Sequence, residues 1–417
     1  MGRGRVLEVR LMNYKSIPGA VLNLHPVTIL VGPNGAGKSN VLDALSLLSD
    51  AMRLQLRTAL EAHGGIEAVR LKKPGARRAP SFGVAVRMVI HPYWTQGPYE
   101  ARYGFEARAV AGHEYVISRE RCWIGPCEDS SHGDSSEALA SFERDEHGFS
   151  IRSLGGRMGN EDRRNVEPHA LLLPLLSGAP YFSEVRDALE SIRRYSISPN
   201  VMRDLHDPTS GKELDPDGRN IASVIEEMRQ TRPKDHRRLC ELLGQVVPGV
   251  IDVKAVQYGP KRGLQFRQEI SPGGKVLTLE ASSMSDGTMR VLGILACVFQ
   301  RPTPLLTGIE EPEATIHPGA LGVLMDILKH RDEAQMIITT HSPDLLDSPE
   351  MDPRSVLLVQ WTEGVTTISP VGPASSSALG LRLATVGELL RSNFLRAAED
   401  VQTPRVNLFP KIAGLRK

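Results

Sequence analysis

The stretch Gly32-Pro33-Asn34-Gly35-Ala36-Gly37-Lys38-Ser39 leaves this chain little freedom. It matches the pattern G-x-x-x-x-G-K-[S/T]. The apolar run VTILV precedes it. Behind it Val41, Leu42, Leu45, Leu48 and Met52 recur at helical spacing. Strand, glycine-rich turn and helix in that order build a phosphate-binding loop. The glycines let backbone N–H groups wrap phosphate oxygens, Lys38 neutralises β/γ charge, and the Ser39 hydroxyl ligates Mg²⁺. Asn34, Gly35, Ala36, Gly37, Lys38 and Ser39 are the resulting candidate contacts for a nucleoside triphosphate.

The rest of the chain is read around that loop. Residues 5–31 alternate as strands, and 80–152 are β-rich and turn-broken, with the small polar stretch 128–138 read as a loop. Residues 167–248 read as helical, including FSEVRDALESIRRY as one helix, and 155–165 as a loop. From 249 strands return. PLLTGIEEPE and AQMIITTHSP are buried strands with GALGVLMDILKHR a helix between them, an order that argues a parallel sheet covered by helices. The expected division is 1–152 as the N-terminal part of a head with a β-rich lobe, and 153–248 as a helical insertion. Residues 249–375 are then the C-terminal part of the head, and 376–417 a helical tail.

Two further segments complete a reaction centre. The strand Leu305–Ile309 ends in Glu310 and Glu311. An apolar strand ending in two acids is the Walker B arrangement: Glu310 is assigned to the metal and Glu311 to the attacking water. His341 ends the next apolar strand, where an imidazole can reach the γ-phosphate. Separately, ASSMSDGTMR places small residues ahead of an apolar helix, a setting for an anion at the helix N-terminus.

The order phosphate loop, Ser285-Asp286-Gly287-Thr288, acidic pair, His341 resembles the ABC-type ATPases. The segments LMNYKSIPGAVLNL, GPNGAGKSNVLDAL, MSDGTMRVLGIL, IEEPEATIHP and MIITTHSPDLLD look like the AAA/ABC-type branch that groups RecF, the SMC heads and the OLD proteins. The resemblance implies an α/β P-loop NTPase of ABC-ATPase type, with mixed sheets covered by helices and a helical insertion. It implies that Ser285 and Gly287 close over ATP held by a second copy, giving a homodimer or higher oligomer. Asn40 and Lys15 would line the nucleotide edge, and Glu313 and His317 would lie near the dimer interface. Gln96 falls in the region of the family's Q-loop glutamine, although HPYWTQGPY reads equally as a plain loop. Gly308 interrupts the Walker B strand and is expected to loosen it.

Composition narrows the function. Net charge is +1, so nucleic acid would need a local patch. Arg70, Lys72, Lys73, Arg77 and Arg78 form one cluster; Arg193/Arg194 and Arg237/Arg238 are read as helical pairs. They are either solvated faces or a DNA-tracking groove. No apolar run approaches 18 residues, and the N-terminus lacks a signal-peptide core, which points to a cytoplasmic protein without a membrane partner. Four scattered cysteines fit free thiols; the spacing of Cys122 and Cys127 lacks a second metal-binding pair. The 75 or so residues after His341 show no spaced acids of a TOPRIM nuclease, so an effector is expected as a separate subunit. The reading is an ATPase that acts as a switch over such an effector or over DNA, in the manner of anti-phage systems. A RecF-like repair ATPase and a non-hydrolysing ATP-binding scaffold are the alternatives.

Overall fold

The chain opens with three strands, β1 (Gly4–Tyr14), β2 (Ile17–Asn23) and β3 (Val27–Val31), and three helices, α1 (Lys38–Arg53), α2 (Leu56–Ala62) and α3 (Ile66–Val69). Five strands follow: β4 (Ser81–Ile90), β5 (Tyr99–Ala109), β6 (Tyr115–Pro126), β7 (Ala140–Asp145) and β8 (Gly148–Ser153). Then come α4 (Phe182–Glu190), β9 (Arg193–Tyr195), α5 (Pro199–Arg203), α6 (Ile221–Thr231) and α7 (Pro233–Val246). The remainder is β10 (Val250–Tyr258), β11 (Lys261–Glu269), β12 (Val276–Glu280), α8 (Asp286–Val298), β13 (Thr307–Glu310) and α9 (Pro318–Lys329). After these stand β14 (Met336–Thr340), β15 (Val356–Thr362), β16 (Val365–Pro370), α10 (Pro373–Gly380) and α11 (Val386–Arg391). This computed structural model describes residues 4–91, 97–127, 138–153, 166–176, 178–271, 273–330, 334–347, 351–381, 383–398 and 406–410. Gln96, the expected loop at 155–165 and all but the last residue of the expected loop at 128–138 lie outside the described residues.

The strands sort into three sheets. One is antiparallel with seven strands in the order β2-β1-β4-β5-β6-β7-β8, and one has three, β10-β11-β12. The third has the order β16-β15-β3-β14-β13-β9. In it β15, β3, β14, β13 and β9 run parallel, and β16 pairs antiparallel with β15. Parallel strands buried on both faces need apolar residues throughout, which is why VTILV and MIITT show no polar alternation. Leu30 and Ile337 point into a core shared with α1 and the seven-stranded sheet. Ile29, Val31, Ile309 and Ile338 point the other way, into a core built with α6, α7, α8 and α9. Full burial of each such side chain contributes about 1.5–3 kcal/mol.

Three readings of the sequence change. FSEVRDALESIRRY is not one helix: α4 stops at Glu190, and Arg193–Tyr195 is a strand beside β13. The break is set from outside, because the Ser191 hydroxyl accepts the Leu305 N–H (3.0 Å) where the chain enters β13. Among the described residues of the tail, only α10 and α11 are helical. Beyond Arg391 the described residues are irregular, and Leu408 and Phe409 pack on the seven-stranded sheet, where Gly83 leaves room for Leu408. Gly308 does not loosen its strand, which pairs on both sides. A Cβ there would lie 2.8 Å from Leu42 Cδ2, so the glycine lets α1 seat directly on β13. Among the described residues no helix is long and apolar enough to cross a membrane.

Candidate nucleotide site

The loop Gly32–Ser39 joins β3 to α1 at the C-terminal end of the parallel sheet. Gly35 and Gly37 have φ of 78° and 100°, left-handed values that cost other residues steric strain. Gly37 caps α1, and a Cβ on it would sit 2.2 Å from Thr366 Oγ1. Thr366, on β16, is fully buried and donates to the Ala36 carbonyl (2.8 Å). Its hydroxyl also meets that of Ser16 (2.6 Å), which accepts from Asn40 Nδ2 (2.7 Å). Two separate segments, β16 and the β1–β2 turn, thus hold the loop from behind, leaving Pro33, Asn34, Gly35 and Ser39 exposed. Lys38 is buried; its Nζ donates to the carbonyls of Gly32 (2.8 Å) and Pro33 (3.0 Å). Burial lowers its pKa, against the opposing pull of Glu311 and Glu313.

The two acids of β13 reach the same place by different routes. Ser39 Oγ donates to Glu310 Oε2 at 3.1 Å, across 271 residues of chain. Two oxygens bound cis to an octahedral Mg²⁺ at 2.0–2.1 Å would be about 3 Å apart, so this hard-oxygen pair fits that ion. Glu311 has φ 42°, a strained value for a residue with a side chain, while its N–H still donates to the Thr339 carbonyl (3.0 Å). The kink ends the strand and sets its carboxylate 3.3 Å from His341 Nδ1. Glu313 is buried rather than displayed: Oε1 accepts from Thr340 Oγ1 (2.6 Å) and from the His341 N–H (3.3 Å).

Sequence reasoning missed the polar group on the α1 side. Arg194, the register partner of Gly308 on β9, donates Nε to Glu310 Oε1 and Nη1 to Asp43 Oδ1 (3.0 Å). Asp43 also accepts from Tyr14 (2.6 Å) and Lys15 Nζ (2.5 Å), and His63 Nδ1 lies 3.1 Å away. Burial would raise the Asp43 pKa, but bonds to His63, Lys15 and Tyr14 outweigh it and hold the carboxyl well below its usual range. Burial likewise disfavours a charged His63, yet Asp43 and Asp50 lift it to about 9. Asp43 stands four residues after Ser39, one helical turn on, the signal that could have marked it. Arg194 belongs to this network and is not part of a surface basic pair. In the first basic cluster, Arg70 and Arg78 are tied to Glu67.

Ser285 and Gly287 are placed elsewhere. Ser285 caps α8, its hydroxyl accepting the Thr288 N–H (3.2 Å), and both Ser285 and Asp286 are exposed. A Cβ on Gly287 would lie 2.7 Å from the Thr315 carbonyl, so the glycine lets α8 pack on the loop after β13. His317 caps α9 by accepting from the Gly319 N–H. A second cluster, buried His236 and Cys240 with half-buried Asp252, needs no ion to explain it: His236 Nε2 donates to the Val253 carbonyl (2.8 Å).

A P-loop on a mainly parallel sheet, an acid-ended strand two places along that sheet and a capped Ser-Asp-Gly-Thr turn define an ABC-type ATPase head of the OLD/SMC-like group. The family model "AAA domain, putative AbiEii toxin, Type IV TA system" matches residues 27–347, and the chain belongs to that family. The OLD nuclease of Thermus scotoductus is 23% identical over 352 residues, which cover 82% of this chain; the chain spans 59% of that relative's length. Two solved structures are similar. The Smc head domain of Pyrococcus furiosus bound to the C-terminal domain of ScpA has 14% identity and a TM-score of 0.48, covering 91% of this chain and 99% of its own. The SMC head domain of Thermotoga maritima has 14% identity and a TM-score of 0.45, covering 88% and 99%.

Proposed function

We propose that this chain binds and hydrolyses ATP between two copies of itself, and that closing and reopening of the pair controls a partner effector or DNA engagement in anti-phage defence. The observation that carries the ATPase reading is the 3.1 Å bond from Ser39 Oγ to Glu310, which unites phosphate loop and acid-ended strand. Ser39 and Glu310 would hold a Mg²⁺, which neutralises phosphate charge. Lys38, turned from its carbonyl partners, takes the β/γ-phosphate oxygens. Glu311 accepts the proton of the water that attacks the γ-phosphorus, with ADP as leaving group, and His341 beside it reads the γ-phosphate. Ser285, Gly287 and the N-terminus of α8 face a partner's nucleotide. The defence reading is supported by the toxin–antitoxin family and the OLD relative. The head would consist of 1–152 and 249–375, with 153–248 inserted.

Steady-state ATP turnover of the wild type against Glu311→Gln tests the reading. The expected result is Mg²⁺-dependent turnover that falls about 100-fold or more in the variant. No turnover in the wild type would leave the ATP-binding scaffold. Turnover stimulated by DNA alone would favour a RecF-like repair role, and stimulation by a co-purified protein the effector switch.

A further inference from the structure

The Glu310 carboxylate is held at both oxygens by its own chain, Oε2 by Ser39 and Oε1 by Arg194. Ser39 belongs to the phosphate loop, but Arg194 comes from a three-residue strand that the nucleotide motifs do not include. Its position is built. Strand β9 pairs with β13 in parallel, with Arg194 opposite Gly308. Side chains of one strand alternate faces, so Gly308 and Glu310 share a face with Arg194. From that shared face the guanidinium reaches Glu310, two residues beyond its register partner. Its far end is pinned on Asp43, which Tyr14, Lys15 and His63 hold in turn. Arginine suits this bridge because its planar fork can bond two carboxylates at fixed angles; lysine offers one point charge.

We infer that Arg194 is a positioning residue for the metal-binding carboxylate: by holding Oε1 it fixes the plane of Glu310, so that Oε2 faces Ser39 Oγ at the separation a divalent cation requires. This rests on the reading of Ser39 and Glu310 as the metal ligands. A guanidinium near a metal site also repels the ion. Here the guanidinium is paired with Asp43 (3.0 Å) as well as with Glu310, which spreads its charge over two carboxylates and weakens that repulsion. Partners that orient a metal ligand typically change metal affinity by about 10–100-fold when removed.

The test measures AMP-PNP affinity with Mn²⁺ and again in EDTA, in wild type, Arg194→Ala and Asp43→Asn. The ratio of the two affinities isolates the metal's contribution from that of the phosphate loop. The expected result is a ratio reduced about tenfold or more in Arg194→Ala, less in Asp43→Asn, with affinity in EDTA unchanged. An unchanged or increased ratio in Arg194→Ala would overturn the inference and make Arg194 a spectator or a competitor of the metal. If Arg194→Ala does not fold, Arg194→Lys takes its place. A lowered ratio there supports the bridge, and a wild-type ratio refutes it. A wild type that binds no AMP-PNP would instead refute the nucleotide site itself.

Discussion

The turn Gly32–Ser39 is tied to three distant segments of its own chain, through Thr366, Ser16 and Glu310. The turn Ser285–Gly287 has its hydroxyl bonded within its own helix and, among the described residues, a single side-chain tie outside it, from Arg203 to the Asp286 carboxylate, and its first two residues are exposed. Both end in a helix N-terminus with unsatisfied N–H groups. One is a finished cradle, rigid from behind and open in front. The other is the turn that the proposed function sets over a partner's nucleotide. On that proposal the contrast is expected: a chain that completed its own nucleotide cage would brace both turns against each other.

Substituting Ser285 by Arg sharpens the comparison most. The position is exposed and loss of its cap on α8 costs only about 0.5–2 kcal/mol, so folding should be kept while turnover falls about 100-fold or more, comparable to loss of an oxyanion donor. Wild-type turnover in Ser285→Arg would mean that this turn plays no part. A smaller effect probes the seat of the first turn. Gly308→Ala puts a methyl 2.8 Å from the Cδ2 end of the buried Leu42 side chain, which must shift within the α1–sheet core, costing about 1–3 kcal/mol in urea unfolding. It should also raise the KM for ATP, because α1 carries Lys38 and Ser39. An unaltered unfolding midpoint would show that α1 does not rest on Gly308.

The smallest effect is a pH dependence of the braced half. The folded pKa of His63, about 9, lies above its ordinary value of 6.5. The imidazolium's pairing with Asp43 and Asp50 therefore stabilises the fold fully below about pH 6.5, and this contribution is lost as pH rises through 9. Wild type should lose about 1–2 kcal/mol across that window relative to His63→Gln, followed by chemical denaturation at each pH. Parallel pH profiles would remove the charged His63 from the network.

The braced turn was largely legible in the sequence because its determinants are local: glycines, Lys38 and Ser39 in eight residues between a strand and a helix. Glu310 and Glu311 were legible as the end of an apolar strand. The struts behind them were not. Thr366 and Ser16 are ordinary polar residues until the fold brings β16 and the β1–β2 turn together. Arg194 meets Glu310 only across 116 residues, and a three-residue strand carrying two arginines shows no hydrophobic period. Gly308 read as a flaw because the side chain that needs its space, Leu42, lies on another element. Distant pairings of single polar atoms leave no periodic trace in a chain.

The central claim is that one chain holds half of each reaction centre. Light scattering on Glu311→Gln with ATP and Mg²⁺ tests it most directly. The account predicts that the 45.7 kDa chain runs at roughly twice that mass with ATP and returns to monomer when Ser285→Arg is added. A Glu311→Gln protein that stays monomeric while monomeric wild type hydrolyses ATP at full rate would contradict it.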